Sequence, residues 1–97
     1  MGYAMSLGQD DFNYTYNVSK MWYACYPDKG IREIYGTTGR QAASALFKLA
    51  EFMQDNKDKL LEFEPKNGWG SFDGAYEFVL KLLNSSLRQP DEIWEGD

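Results

Sequence analysis

The chain has 97 residues, 43% of them hydrophobic and 16% aromatic, with a formal net charge of −5. This length holds one modest core and excludes two domains, and the aromatic content excludes a disordered chain, which lacks the rings needed to offset conformational entropy. The acidity argues against direct nucleic-acid binding, which relies on clustered Lys and Arg.

The acidic residues are interleaved with ten basic ones and form no long run, so mimicry of a nucleic-acid backbone is not indicated either. There is no histidine and a single cysteine, Cys25. The usual general base, the commonest zinc ligand and any intrachain disulfide are therefore absent together. No segment reaches the ~20 apolar residues of a membrane span, and the start lacks the layout of a secretory leader. A soluble cytoplasmic protein without cofactor or metal is expected, in which the sequons at Asn13, Asn17 and Asn84 carry no meaning.

Taken in order, residues 1–9 are small and glycine-containing and are read as flexible. From Asp11 to Val18 apolar and polar residues alternate, with Phe12, Tyr14, Tyr16 and Val18 on one side, which predicts a half-buried strand. Ser19 opens a short helix over 20–25 that Pro27 and Asp28-Lys29-Gly30 stop, with Met21, Trp22 and Cys25 directed at the core. Ile31 to Tyr35 is extended or irregular, anchored by Ile31 and Ile34.

Gly36-Thr37-Thr38-Gly39 is a tight turn, and Thr38 with Gln41 forms a capping box that starts a helix running to about Asp55. Its apolar stripe is Ala42, Ala45, Leu46, Leu49, Phe52 and Met53. Residues 56–59 read as loop and 59–63 as a further helical turn, broken at Glu64-Pro65. Asn67-Gly68-Trp69-Gly70 then leads to Ser71, an N-cap for a second long helix. Trp69 is expected to anchor that corner, and Phe72, Ala75, Tyr76, Val79, Leu80, Leu83 and Leu87 to form the buried stripe. Gly74 inside this helix costs ~1 kcal/mol against Ala, so close packing at that point is expected. After Gln89-Pro90, residues 91–95 with Ile93 and Trp94 predict a second strand paired with the first. The expected fold is α+β: a single small domain with two main helices and short helices on one face of a minimal antiparallel sheet, strands about 11–18 and 91–95.

Tyr14, the run Tyr16-Asn17-Val18-Ser19 with Met21 and Trp22, then Gly36-Thr37-Thr38-Gly39, then Asn67-Gly68-Trp69-Gly70 with Phe72 and Gly74-Ala75, resemble a pattern in small proteins encoded in tailed-bacteriophage genomes. The resemblance covers nearly the whole chain. It brings no assigned activity; it implies an accessory protein acting inside an infected bacterium, as an inhibitor of a host enzyme or defence system.

Two glycine-flanked helix starts are candidate sites for an anionic or nucleotide-like ligand: Thr38, Gly39 and Arg40 at the first, Lys66, Gly68, Trp69, Gly70 and Ser71 at the second. Tyr23, Tyr26 and Trp94 are candidates for a partner-binding surface. Cys25 has no histidine to activate it; the pairs Glu62/Glu64 and Asp73/Glu77 are of a kind that serves glycoside hydrolysis or a divalent metal, but the i, i+4 pair Asp73/Glu77 reads as a solvated helix face, and no catalytic residue is assigned. The leading expectation is a non-enzymatic protein that binds a protein partner in the bacterial host; the alternative is a small-ligand binder. An exposed aromatic face or a sheet edge could also support a homodimer.

Overall fold

In a computed structural model, residues 2–97 are described, and among them the chain forms four α-helices and a three-stranded antiparallel sheet. The expected α+β class is the observed one. The strands are β1 (Gly2–Leu7), β2 (Asp10–Thr15) and β3 (Trp94–Gly96), and the helices are α1 (Ser19–Tyr23), α2 (Gly39–Asp55), α3 (Lys57–Leu60) and α4 (Phe72–Arg88).

Sheet order is β2-β1-β3, so the central strand is the N-terminal segment expected to be flexible. Met1 lies outside the described residues. Within β1 the side chains of Tyr3, Met5 and Leu7 are buried and those between them face outward, the period-2 pattern of a half-buried strand. Gly8 at φ 59°, followed by Gln9, closes a two-residue hairpin in which Leu7 pairs with Asp10. A positive φ at the first turn position is what a type II′ hairpin needs, and glycine supplies it at little steric cost. The last strand consequently pairs with β1, through Ser6 opposite Glu95 and Leu7 opposite Trp94, and not with β2.

Further boundaries differ from expectation. β2 ends at Thr15 because the Thr15 side chain accepts from the Asn17 amide and turns Tyr16–Val18 into a 3-10 turn. Ser19 is the first residue of α1, whose N-cap is Val18. Gly30–Ile34 is 3-10 rather than extended, burying both Ile31 and Ile34 as anchors. The expected loop over 56–59 continues helically: α3 sinks Leu60 and passes into a 3-10 turn over Leu61–Phe63.

α2 and α4 are antiparallel neighbours. The start of α2 lies so close to the end of α4 that a Cβ on Gly39 would collide with the Gln89 carbonyl, and the end of α2 meets Tyr76 near the start of α4. From α4 the residues Phe72, Ala75, Phe78, Val79 and Leu82 enter the core, and from α2 Ala42, Leu46, Leu49, Ala50 and Met53. Phe78 stacks on Tyr14 with centroids 5.5 Å apart and lies 5.8 Å from Trp22, joining sheet, α1 and α4 through aromatic contacts. At Gly74 the expected close packing is present, since a Cβ there would collide with the Tyr14 hydroxyl.

A polar network ties the β1–β2 hairpin to the end of α4. Asp10 Oδ2 accepts from Ser85 Oγ at 2.8 Å, Gln89 Nε2 at 2.8 Å and the Arg88 guanidinium at 3.2 Å, while Gln89 also donates to the Leu7 carbonyl at 3.2 Å. Among the described residues no helix is long and apolar enough to cross a membrane.

Candidate functional site

Most first-turn amides of the two long helices are engaged by the chain itself. At α2 the capping box is complete, with the Gln41 amide donating to Thr38 Oγ1 at 3.1 Å and the Thr38 amide to Gln41 Oε1 at 3.0 Å. The Gly39 and Arg40 amides donate to the carbonyls of Glu92 and Pro90, and Arg40 reaches Asp91 at 3.4 Å. At α4 the Gly74 amide donates to Ser71 Oγ, and the Phe72 amide donates to Glu64 Oε2 at 2.7 Å. Thus a carboxylate already sits at the positive end of the α4 dipole, where a bound anion would go, and it is the chain's own. The capping role of Glu64 spans eight residues of irregular backbone and has no local sequence signature.

Trp69 does not anchor this corner: it is 68% exposed. The packing is done by its neighbour Gly70, at φ 103°, where a Cβ would press on the side chains of Thr15 and Val18. The Trp69 amide donates to Asn67 Oδ1, and the indole borders a shallow depression of about 350 Å³ with Asn67, Thr15 and Asn17. Lys66 and Gly68 are exposed beside it.

The aromatic candidates also change places. Trp94 is fully buried, with Nε1 donating to Ser86 Oγ at 2.9 Å, and Ser86 in turn donates to the Leu82 carbonyl. A strand that closes the sheet directly over α4 has to turn its large ring inward, so Trp94 is a core residue and not a partner contact. Tyr23 and Tyr26 are half-buried rather than open; the Tyr26 hydroxyl donates to the Ala45 carbonyl at 3.0 Å, and the Tyr23 ring lies on Gly30. Cys25 is half-buried, and burial pushes its thiol up despite the opposing charge of Lys48. A thiol held protonated is a poor nucleophile.

Beside the sheet, Arg32 lies over the rings of Tyr3 and Tyr16, at 4.8 and 5.2 Å, and donates to the Tyr16 hydroxyl at 2.6 Å. Burial pushes the Tyr3 hydroxyl up to about 12, with Tyr23 adding to the effect and Arg32 opposing it. These contacts tie Gly30–Ile34 to β1.

Of the exposed large apolar side chains, Leu61, Phe63, Trp69 and Ile93 lie off the two long helices, and the other three lie on them. Phe47 is 56% exposed, Leu80 39% and Leu87 63%. Phe47, Ala50 and Gln54 from α2 and Tyr76, Leu80 and Leu83 from α4 line a groove of about 230 Å³, rimmed by Glu51 and Asp55. Such a volume lies below the roughly 300–1,000 Å³ of small-molecule pockets, but it admits protruding side chains from a protein partner. Glu77 and Lys81 flank Leu80 on the far side of α4. The expected stripe of α4 therefore splits: Phe72, Ala75 and Val79 are buried, Tyr76 and Leu83 are half-covered, and Leu80 and Leu87 stand out in solvent. Phe78 and Leu82, which the expected stripe omitted, complete the buried face.

Comparison of the chain with protein-family models, curated proteins and solved structures finds no match.

Proposed function

We propose that the chain is a non-enzymatic protein-binding module whose docking surface is the groove between α2 and α4. The observation that carries this reading is that Phe47 and Leu80, large apolar side chains left 56% and 39% exposed on adjacent helices, line one groove together with Tyr76 and Leu83. Single exposed apolar residues are ordinary, whereas a contiguous row along a groove marks a surface that another molecule covers. The resemblance to phage-encoded proteins directs the search for that molecule to the bacterial cytoplasm and to host enzymes or defence proteins.

The test compares capture from a bacterial lysate by the wild-type chain and by the double variant Phe47→Asp/Leu80→Asp. Both positions are exposed, so the variant should keep the wild-type circular dichroism and melting curve. A stoichiometric partner recovered by the wild type and lost from the variant supports the docking reading. Equal recovery by the two baits would sink it.

The Trp69 corner supports a narrower second reading, in which a flat ligand stacks on the indole beside Asn67, Thr15 and Asn17. Ring and polar side chains would hold it, because the Phe72 and Gly74 amides of the adjacent helix start are engaged by Glu64 and Ser71. Trp22 and Trp94 are fully buried, so collisional quenching of tryptophan fluorescence reports on Trp69. A nucleotide panel that neither protects Trp69 from acrylamide nor raises the melting temperature removes this reading.

A further inference from the structure

The geometry points to one class of occupant for the α2–α4 groove, an amphipathic helix whose apolar edge is flanked by Lys and Arg; this inference rests on the docking reading. The shape of the seat comes from two rows. On α2 the positions Ala43, Phe47, Ala50 and Gln54, and on α4 Tyr76, Leu80, Leu83 and Leu87, are each spaced four, three and four residues apart. That is the spacing of a coiled-coil seam, and six of these eight residues line the groove itself. Two antiparallel helices whose parallel seams flank a trough, with the buried Ala50 at its floor, form the seat that a third helix fills, its knobs entering between the rows. From Tyr76 to Leu87 the row is about 16 Å long at 1.5 Å per residue, which corresponds to about three turns of partner helix.

The sign of the partner comes from the rim. Glu51 and Asp55 edge the groove on α2 and Glu77 flanks Leu80 on α4, with Lys81 beside Glu77, and Lys57 beyond Asp55 drawn over the Phe72 ring. The three salt bridges among the described residues, Arg32–Asp97, Arg40–Asp91 and Arg88–Asp10, engage none of these carboxylates. Of the two cations on α2, Lys48 lies over the Tyr26 ring and Arg40 pairs with Asp91. An apolar trough whose own lining carries charge of one sign, from Glu51 and Asp55, steers and holds a basic helix and repels an acidic one. A second copy of this chain is a poorer fit, because a two-fold contact on this face sets the same acidic rim against itself.

The experiment titrates the full chain against two synthetic peptides of about 15 residues, both with Leu at the a and d positions, one flanked by Lys and the other by Glu. The two peptides share the helix-forming cost, so their difference reads the rim. The Lys-flanked peptide is expected to bind at least tenfold more tightly, to weaken as salt rises, and to lose binding to Phe47→Ala/Leu80→Ala, which keeps every charge. Glu51→Lys/Asp55→Lys/Glu77→Lys should erase or reverse the preference. Equal affinity for both peptides, no binding of either, or binding that survives Phe47→Ala/Leu80→Ala overturns the inference. So does a dimer in light scattering that Phe47→Ala/Leu80→Ala dissolves, which would assign the face to a second copy. Lysate capture that depends on Phe47 and Leu80 alongside any of these results removes the basic helix and leaves the docking surface standing; capture indifferent to those positions removes the docking reading itself.

Discussion

Trp94 and Trp69 show how differently one residue type is used within a small domain. A buried indole N–H without an acceptor costs about 1–3 kcal/mol, and Ser86 is the acceptor that Trp94 finds. Ser86→Ala should therefore lower unfolding free energy by about 1–3 kcal/mol in urea titration, whereas Trp69→Ala, with its side chain in solvent, should stay within ~0.5 kcal/mol of wild type. Gly74 gives a second contrast. Glycine to alanine inside a helix ordinarily stabilises by ~1 kcal/mol, yet here the new methyl collides with the Tyr14 hydroxyl. Gly74→Ala should destabilise the chain, and in the Tyr14→Phe background the penalty should shrink, a coupling that a double-mutant cycle measures directly.

The starts of the two long helices are built by different means. α2 begins with a capping box contained within four residues, Thr38 to Gln41, which is why it reads directly from the chain. α4 begins with the local cap Ser71, equally legible, and with Glu64, which reaches back across Pro65 and the Asn67–Gly70 turn. The second cap depends on the path of that turn, set by Gly68 and Gly70 at positive φ, and no spacing rule encodes it. Glu64→Ala should cost about 1–2 kcal/mol and Glu64→Gln less, since the amide oxygen can still accept from Phe72 while the charge–dipole attraction is gone. Chemical denaturation of the two variants beside Ser71→Ala separates the contributions. In β1 the opposite holds: the alternation of Tyr3, Met5 and Leu7 ahead of Gly8-Gln9 is a strand-and-hairpin signal present in the chain, obscured by the weak propensity of Gly2, Ala4 and Ser6 between them.

For the molecule as a whole, the cluster of Tyr3, Tyr16, Arg32 and Tyr35 sets a limit at alkaline pH. Tyr3 has its pKa raised from 10 to about 12 by burial, and Tyr35 is shifted upward for the same reason. A group raised in the folded state holds its proton more tightly there than in the unfolded chain. Its contribution is complete below the unfolded value near 10 and is lost as pH rises toward the folded value. Stability should therefore fall between pH 10 and about 12, by roughly 1.4 kcal/mol per pH unit for Tyr3 at the steepest. Urea midpoints taken from pH 8 to pH 11.5 check this, and Tyr3→Phe should flatten the decline.

The fold class, the spans of the two long helices and the caps at Thr38 and Ser71 follow from residues within one or two turns of each other, where periodicity and capping chemistry act locally. The order of the strands depended on a contact between the two ends of the chain, with β3 pairing to β1, which only the closed domain brings together. The same division explains the α2–α4 groove. The helix over 72–88 carries more apolar residues than one buried face requires, and its periodicity alone makes Tyr76, Leu80, Leu83 and Leu87 look as core-like as Phe78 and Leu82. Burial on a helix goes to whichever row meets the sheet, and the packing of Phe78 against Tyr14 and Trp22 rotated the other row, with Leu80 and Leu87, out to solvent.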